Sequence, residues 1–121
     1  MLDIQQELEK YKILDSEGNS VYDFYQMLQI QRGLEAGVDV SQFTILNLEG
    51  KSIYNADQMY EIRIGLEEGL DVSIYTKPEY DWGQMYEIRE GLMEGLDVTS
   101  YTNPEYEWDQ MEEIREKLKN S

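Results

Sequence analysis

The chain has 121 residues, the size of one domain, and 26 Asp+Glu against 10 Lys+Arg give it a formal net charge of -16. It contains neither Cys nor His, which excludes disulfides, Cys/His zinc sites and imidazole catalysis. Hydrophobic residues at 40% supply enough apolar matter for a core; no apolar run reaches the roughly 18 to 20 residues of a membrane span, and the opening MLDIQQELEK lacks a signal-peptide pattern, so a soluble cytoplasmic protein is expected.

In chain order, residues 3–13 read as an entry helix, because Leu8 and Tyr11 stand 32 residues before Val40 and Phe43. Ile13 to Tyr22 aligns without a gap, at the same offset of 32, with Ile45 to Tyr54. Within these segments Asp15-Ser16-Glu17-Gly18-Asn19 and Asn47-Leu48-Glu49-Gly50-Lys51 resemble calcium loops only superficially. The glycine comes too early for an EF-hand, the bidentate glutamate is missing and Lys51 opposes a cation. Both segments read as Gly-containing turns.

A helix follows each turn. Asp23, Asn55, Asp81 and Glu107 precede Gln26, Gln58, Gln84 and Gln110 by three residues, the spacing of a capping box, with Glu107 the poorest cap. Tyr22, Tyr54, Tyr80 and Tyr106 fall at N′ and Met27, Met59, Met85 and Met111 at N4, the two ends of a hydrophobic staple. From Met85, apolar residues continue at Ile88, Leu92 and Leu96, the stripe of an amphipathic helix. Gly37, Gly69 and Gly95 stand where a left-handed residue would end the helix, each followed by the apolar C″ residue of a Schellman motif, Val38, Leu70 or Leu96. Gly33, Gly65 and Gly91 lie inside the helix, where glycine costs about 1 kcal/mol relative to alanine, and a close backbone crossing is the expected compensation. Asp39, Asp71 and Asp97 then cap a short helix running to Phe43, Tyr75 and Tyr101, rings sized to plug the space between long helices.

Gln58, Gln84 and Gln110 are spaced by 26 residues and Gln26 precedes Gln58 by 32, the self-similarity of stacked repeats. The later copies replace the glycine turn with Lys77-Pro78-Glu79 or Asn103-Pro104-Glu105, and the last one exits through the polar Lys119-Asn120-Ser121. The expected fold is all-α: a short, right-packed, solenoid-like array with a long and a short helix per repeat. It forms a single domain over 1–121, with an N-terminal cap and first long helix at 1–38 and repeats at 39–70, 71–96 and 97–121.

Chemistry is sparse. Glu67/Glu68 and Glu112/Glu113 are adjacent on helices and do not face each other, so they make no acid/base pair, and an enzyme is not expected. No glycine-rich loop followed by Lys-Ser/Thr is present, no cofactor is implied, and the net charge opposes direct nucleic-acid binding. Arg63, Arg89 and Arg115 recur at one helical position and read as structural partners of a neighbouring carboxylate or helix-end carbonyl. Trp82 and Trp108 correspond to Ala56, so the scaffold does not demand a large ring there; packing against Tyr80 or Tyr106 and anchoring of a partner both remain open.

Charge is the functional clue. From Glu79 to Glu116 twelve acids accompany only Arg89 and Arg115, a local balance of -10. Carboxylates on successive helices make a negative surface suited to a basic groove, and rows of them can imitate the phosphates of duplex DNA. The residues assigned to partner binding are Glu87, Glu90, Glu94, Glu105, Asp109, Glu112, Glu113 and Glu116, with Trp82 and Trp108.

The pattern QM-x-EIR-x-GLE-x-GLDVS-x-Y-T, carried by Gln58 to Thr76 and Gln84 to Thr102, looser at Gln26 to Thr44 and truncated at Gln110 to Leu118, resembles tandem short-helix repeat proteins of Gram-positive phages and mobile elements. The resemblance implies a scaffold without catalytic residues. By analogy with small acidic phage and plasmid proteins, including anti-CRISPR proteins, it implies an inhibitor in the bacterial cytoplasm. Its partner would be a protein with a basic surface, such as a CRISPR or other nucleic-acid-processing enzyme. The alternative expectation is a helical-repeat adaptor or regulatory scaffold, in which the charge serves only solubility.

Overall fold

The computed structural model describes residues 3–121, which form five α-helices in chain order. These are α1 (Ile4–Glu9), α2 (Phe24–Ala36), α3 (Ala56–Glu67), α4 (Trp82–Met93) and α5 (Trp108–Lys119). Single 3-10 turns at Val40–Gln42, Val72–Ile74 and Val98–Ser100 follow α2, α3 and α4. Each helix packs on the next one in sequence, from α1 on α2 through to α4 on α5, and each 3-10 turn packs back on the helix before it. None of the described helices is long and apolar enough to cross a membrane.

Local signals account for the helix starts. Asp23, Asn55 and Asp81 accept the N3 amides of Gln26, Gln58 and Gln84 at 2.8 to 2.9 Å, and each glutamine returns a bond by accepting the cap residue's amide. In α5 only the return arm has good geometry: Gln110 Oε1 accepts the Glu107 amide, while the Gln110 amide turns to Asp109. A glutamate at the N-cap carries its carboxylate one methylene too far out.

The same glutamines hold neighbouring helices together. The Nε2 of Gln26 donates to the Tyr54 carbonyl at 2.8 Å, that of Gln58 to Tyr80 at 2.7 Å and that of Gln84 to Tyr106 at 2.6 Å. One amide side chain therefore completes its own cap with its oxygen and fixes the approach to the next helix with its nitrogen. A glutamate could perform the first task but not the second.

Helix ends follow the expected chemistry. Gly37, Gly69 and Gly95 have φ of 75°, 73° and 72°, and the amides of Val38, Leu70 and Leu96 reach back to the carbonyls of Gly33, Gly65 and Gly91 at 3.0 to 3.1 Å. Asp39, Asp71 and Asp97 then accept the amides of Ser41, Ser73 and Thr99 and start the 3-10 turns.

Two expectations are corrected. The entry helix is α1, Ile4–Glu9, and not residues 3–13, because the chain leaves it for a turn in which Val21 donates to the Ile13 carbonyl and Leu14 bridges Ser20. The interior glycines face a side chain, not a crossing backbone. A Cβ at Gly65 or Gly91 would overlap the hydroxyl of Tyr75 or Tyr101. Those hydroxyls donate to the carbonyls of Glu61 and Glu87 at 2.7 and 2.9 Å.

The core is one cluster running the length of the molecule. Phe43, Tyr75 and Tyr101 are completely buried, together with Ile30, Met59, Ile62, Met85, Ile88 and Met111. The cap-flanking Tyr22, Tyr54 and Tyr80 are buried beside them, whereas Tyr106 is half-buried.

Candidate functional site

Recurring Arg63, Arg89 and Arg115 are buried and pair backwards onto the preceding helix. Arg89 Nε donates to Glu61 Oε2 and Arg115 Nε to Glu87 Oε2, both at 2.8 Å, and Arg63 Nε donates to Gln29 Oε1 at 2.9 Å. Glu87, assigned above to an exposed acidic face, is therefore only 2% exposed and serves the helix interface; Glu61 is its counterpart at 4%. Burial pushes both carboxyls up from the ordinary glutamate value, against the opposing pull of their arginines. The recurrence of Glu61 and Glu87, each 28 residues before an arginine, is the sequence signal for this arrangement.

The remaining acids divide into two groups. Glu94 is bound by Arg115 at 2.5 Å and by Lys119 at 3.0 Å, which holds its carboxyl below the usual range. Glu113 faces Lys117, Glu116 lies 3.4 Å from Arg115, and Glu90 lies 3.5 Å from Arg89. Glu105 is exposed on the segment before α5. Asp109 and Glu112 are exposed on the first turns of α5, and Glu112 lines a groove between α4 and α5.

That groove, about 520 Å³, is walled by Trp82, Tyr86 and Trp108, floored by Gly83 and edged by Asp81 and Glu112. Trp82 is 55% exposed and Trp108 50%, so neither ring is absorbed by local packing. Gly83 makes the seat: a Cβ there would stand 3.1 Å from Trp108 Cβ and 3.3 Å from its Cγ. The equivalent positions in α2, α3 and α5 hold Tyr25, Asp57 and Asp109.

The aromatic surface continues past this groove. Asp57, Tyr60 and Trp82 line a groove of about 380 Å³ between α3 and α4. Asp23, Tyr25, Asp57 and Tyr60 line one of about 500 Å³ between α2 and α3. Tyr25, Tyr60 and Tyr86 are exposed members of the same face that sequence reasoning did not single out, and Phe24 is exposed on the groove between α1 and α2. Their signal was available, since each falls on the first two turns of a long helix. Tyr60 and Tyr86 cover Arg63 and Arg89, whose guanidinium carbons lie 5.3 Å from the ring centroids.

Burial of the arginines sharpens the surface charge. The buried ionic side chains are three arginines and two glutamates, so of the formal -16 the rest of the molecule holds -17. Between Pro78 and Glu116 the only cations are Arg89 and Arg115, both buried, so every exposed charged side chain of that stretch is acidic. The two Gly-containing turns expected from sequence are seen, with Gly18 and Gly50 at φ of 82° and 76°, and each is closed by a side chain that the sequence did not single out for it: Asp15 Oδ1 accepts the amides of Glu17 and Asn19, and Asn47 Oδ1 those of Glu49 and Lys51. Among the described residues no acidic cluster has the arrangement of a metal site.

Compared with known proteins, the chain matches no family model, no curated protein and no solved structure.

Proposed function

We propose that this protein is a non-enzymatic, acidic binding module built as a solenoid-like helical array, which occupies a basic surface of another protein. The observation that carries this reading is the groove between α4 and α5, where two half-exposed tryptophans stand beside Asp81 and Glu112 with no cation in the lining. Exposed aromatic rings supply the apolar anchoring that dominates interface energetics, and the surrounding carboxylates speed encounter with a positive partner. In its most concrete form the partner is a bacterial nucleic-acid-processing enzyme of the kind targeted by anti-CRISPR proteins, and the module excludes nucleic acid from its basic channel by presenting carboxylates in place of phosphates.

The test is competition. Added to such an enzyme bound to duplex DNA, the protein displaces the DNA, and the effect weakens with added salt. The combined variant Glu105→Lys, Glu112→Lys, Glu113→Lys, at exposed positions that make no helix cap, keeps its helicity and loses the displacement; retained displacement would reject this surface. An adaptor that uses charge only for solubility predicts the opposite pattern, with insensitivity to the reversals and loss of partner binding on Trp108→Ala.

A further inference from the structure

We infer that the three successive interhelical grooves form a recognition track for an extended basic peptide, in which every third residue is arginine or lysine. The inference rests on the binding-module reading above and specifies the chemistry of its partner. Each groove combines exposed aromatic surface with a carboxylate: Tyr25 and Tyr60 with Asp23 and Asp57, then Tyr60 and Trp82 with Asp57, then Trp82 and Trp108 with Asp81 and Glu112. No lysine or arginine lines any of the three. The groove between α1 and α2, by contrast, includes Lys12 in its wall and does not fit the same occupant.

A cationic side chain suits both components at once. Its stem lies on the ring faces, its charge is attracted by the ring quadrupole, and its donors reach the carboxylate. Tyr60 and Tyr86 already receive Arg63 and Arg89 from the protein's own interior, so the same interaction is rehearsed within the fold. The free aromatic walls at the last groove are those of Trp82 and Trp108.

Spacing selects the partner's conformation. Packed helices lie about 8–10 Å apart, so successive grooves repeat at that interval. A polyproline II segment rises about 3.1 Å per residue with three residues per turn, which returns a side chain to the same face about every 9.3 Å. A β-strand presents same-face residues about every 6.6 Å and falls out of step after one groove. Aromatic-lined grooves are a known physical solution for this extended helix, because its backbone is stiff before it binds.

The experiment compares peptides of equal length and equal net charge by calorimetry and tryptophan fluorescence. One carries arginines at i, i+3 and i+6 between prolines; the others carry them at i, i+2 and i+4, or at i, i+7 and i+14 of a helix-forming sequence. The first binds tightest, by about tenfold, a margin that one or two additional cation–aromatic contacts account for. Trp108→Ala removes that preference, and Trp82→Ala weakens two adjacent grooves together; both side chains are half-exposed, and circular dichroism verifies the fold. Equal binding of the three peptides, or tighter binding of the helical one, overturns the track while leaving an acidic binding module standing. Absence of binding by all three also overturns it. Selective peptide binding without any displacement of DNA retains the track and removes the inhibitor reading.

Discussion

Arg115 and Glu87 meet across the α4–α5 interface with Nε and Oε2 2.8 Å apart, both withdrawn from solvent. Removing Glu87 strips the buried Arg115 Nε of its acceptor, while Glu94 and Glu116 still face the guanidinium, so the loss is about 2–3 kcal/mol, short of that for a charge left wholly unmatched. Glu87→Ala is therefore expected to lower the urea midpoint strongly. Glu87→Gln should cost much less, about 1 kcal/mol, because Gln29 already serves Arg63 in the same way. Equal losses from the two variants would show that the charge, and not the hydrogen-bond acceptor, holds the interface.

Gln84 offers a second test. Gln84→Glu keeps an acceptor for the Asp81 amide but faces the Tyr106 carbonyl with an oxygen in place of a donor. A loss of about 1–3 kcal/mol is expected in chemical denaturation. The same substitution at Gln110, an exposed residue with only the local cap to serve, should change stability by less than about 0.5 kcal/mol.

A methyl group at Gly91 collides with Tyr101, so Gly91→Ala should destabilise by about 1–3 kcal/mol despite alanine's better helix propensity. Removing the hydroxyl with Tyr101→Phe in the same chain should restore part of the loss. The restoration is partial because a ring without a hydroxyl is still close: a Cβ at Gly33 would stand 3.1 Å from Phe43 Cζ. Thermal melts of the single and double variants form the required cycle, and strict additivity would place the cost elsewhere.

Acidification should first stabilise the protein. The carboxyls of Glu61 and Glu87 are raised by burial, so between the ordinary glutamate value and their raised values the folded chain binds more protons than the unfolded one. Their effect on stability therefore declines as pH rises through that window. Glu94, Asp39 and Asp97 are shifted downward by Lys119, Ser41 and Thr99, and their contributions disappear as pH falls below the ordinary carboxylate range. Self-repulsion of a chain at -16 acts in the same direction as the buried pairs. Melting temperature followed by circular dichroism should rise as pH falls from neutrality toward the ordinary glutamate value and decline once pH falls below it. A steady decline from pH 7 would contradict this balance.

Helix boundaries were legible because capping is a local matter: Asp81, Gln84 and Gly95 state where α4 begins and ends within a few residues of chain. The plugs were legible too, since Tyr75 and Tyr101 recur beside capped turns. Glu87 was not, because an acid on a helix looks the same whether water or an arginine 28 residues away receives it. The interior glycines announced a close approach, but a single sequence does not say whether a backbone or the Tyr75 hydroxyl fills the space. The groove needed Trp82, Gly83 and Trp108 in three dimensions, for Gly83 acquires meaning only when Trp108 is seen lying on it.

The double duty of Gln26, Gln58 and Gln84 has a bearing on how the molecule comes apart. Loosening any one helix strips its neighbour of a bonding partner, so damage at a single joint is felt on both sides of it. Amide exchange along α2, α3 and α4 should consequently slow to a shared rate, with α5, where Gln110 makes only the local cap bond, opening before them.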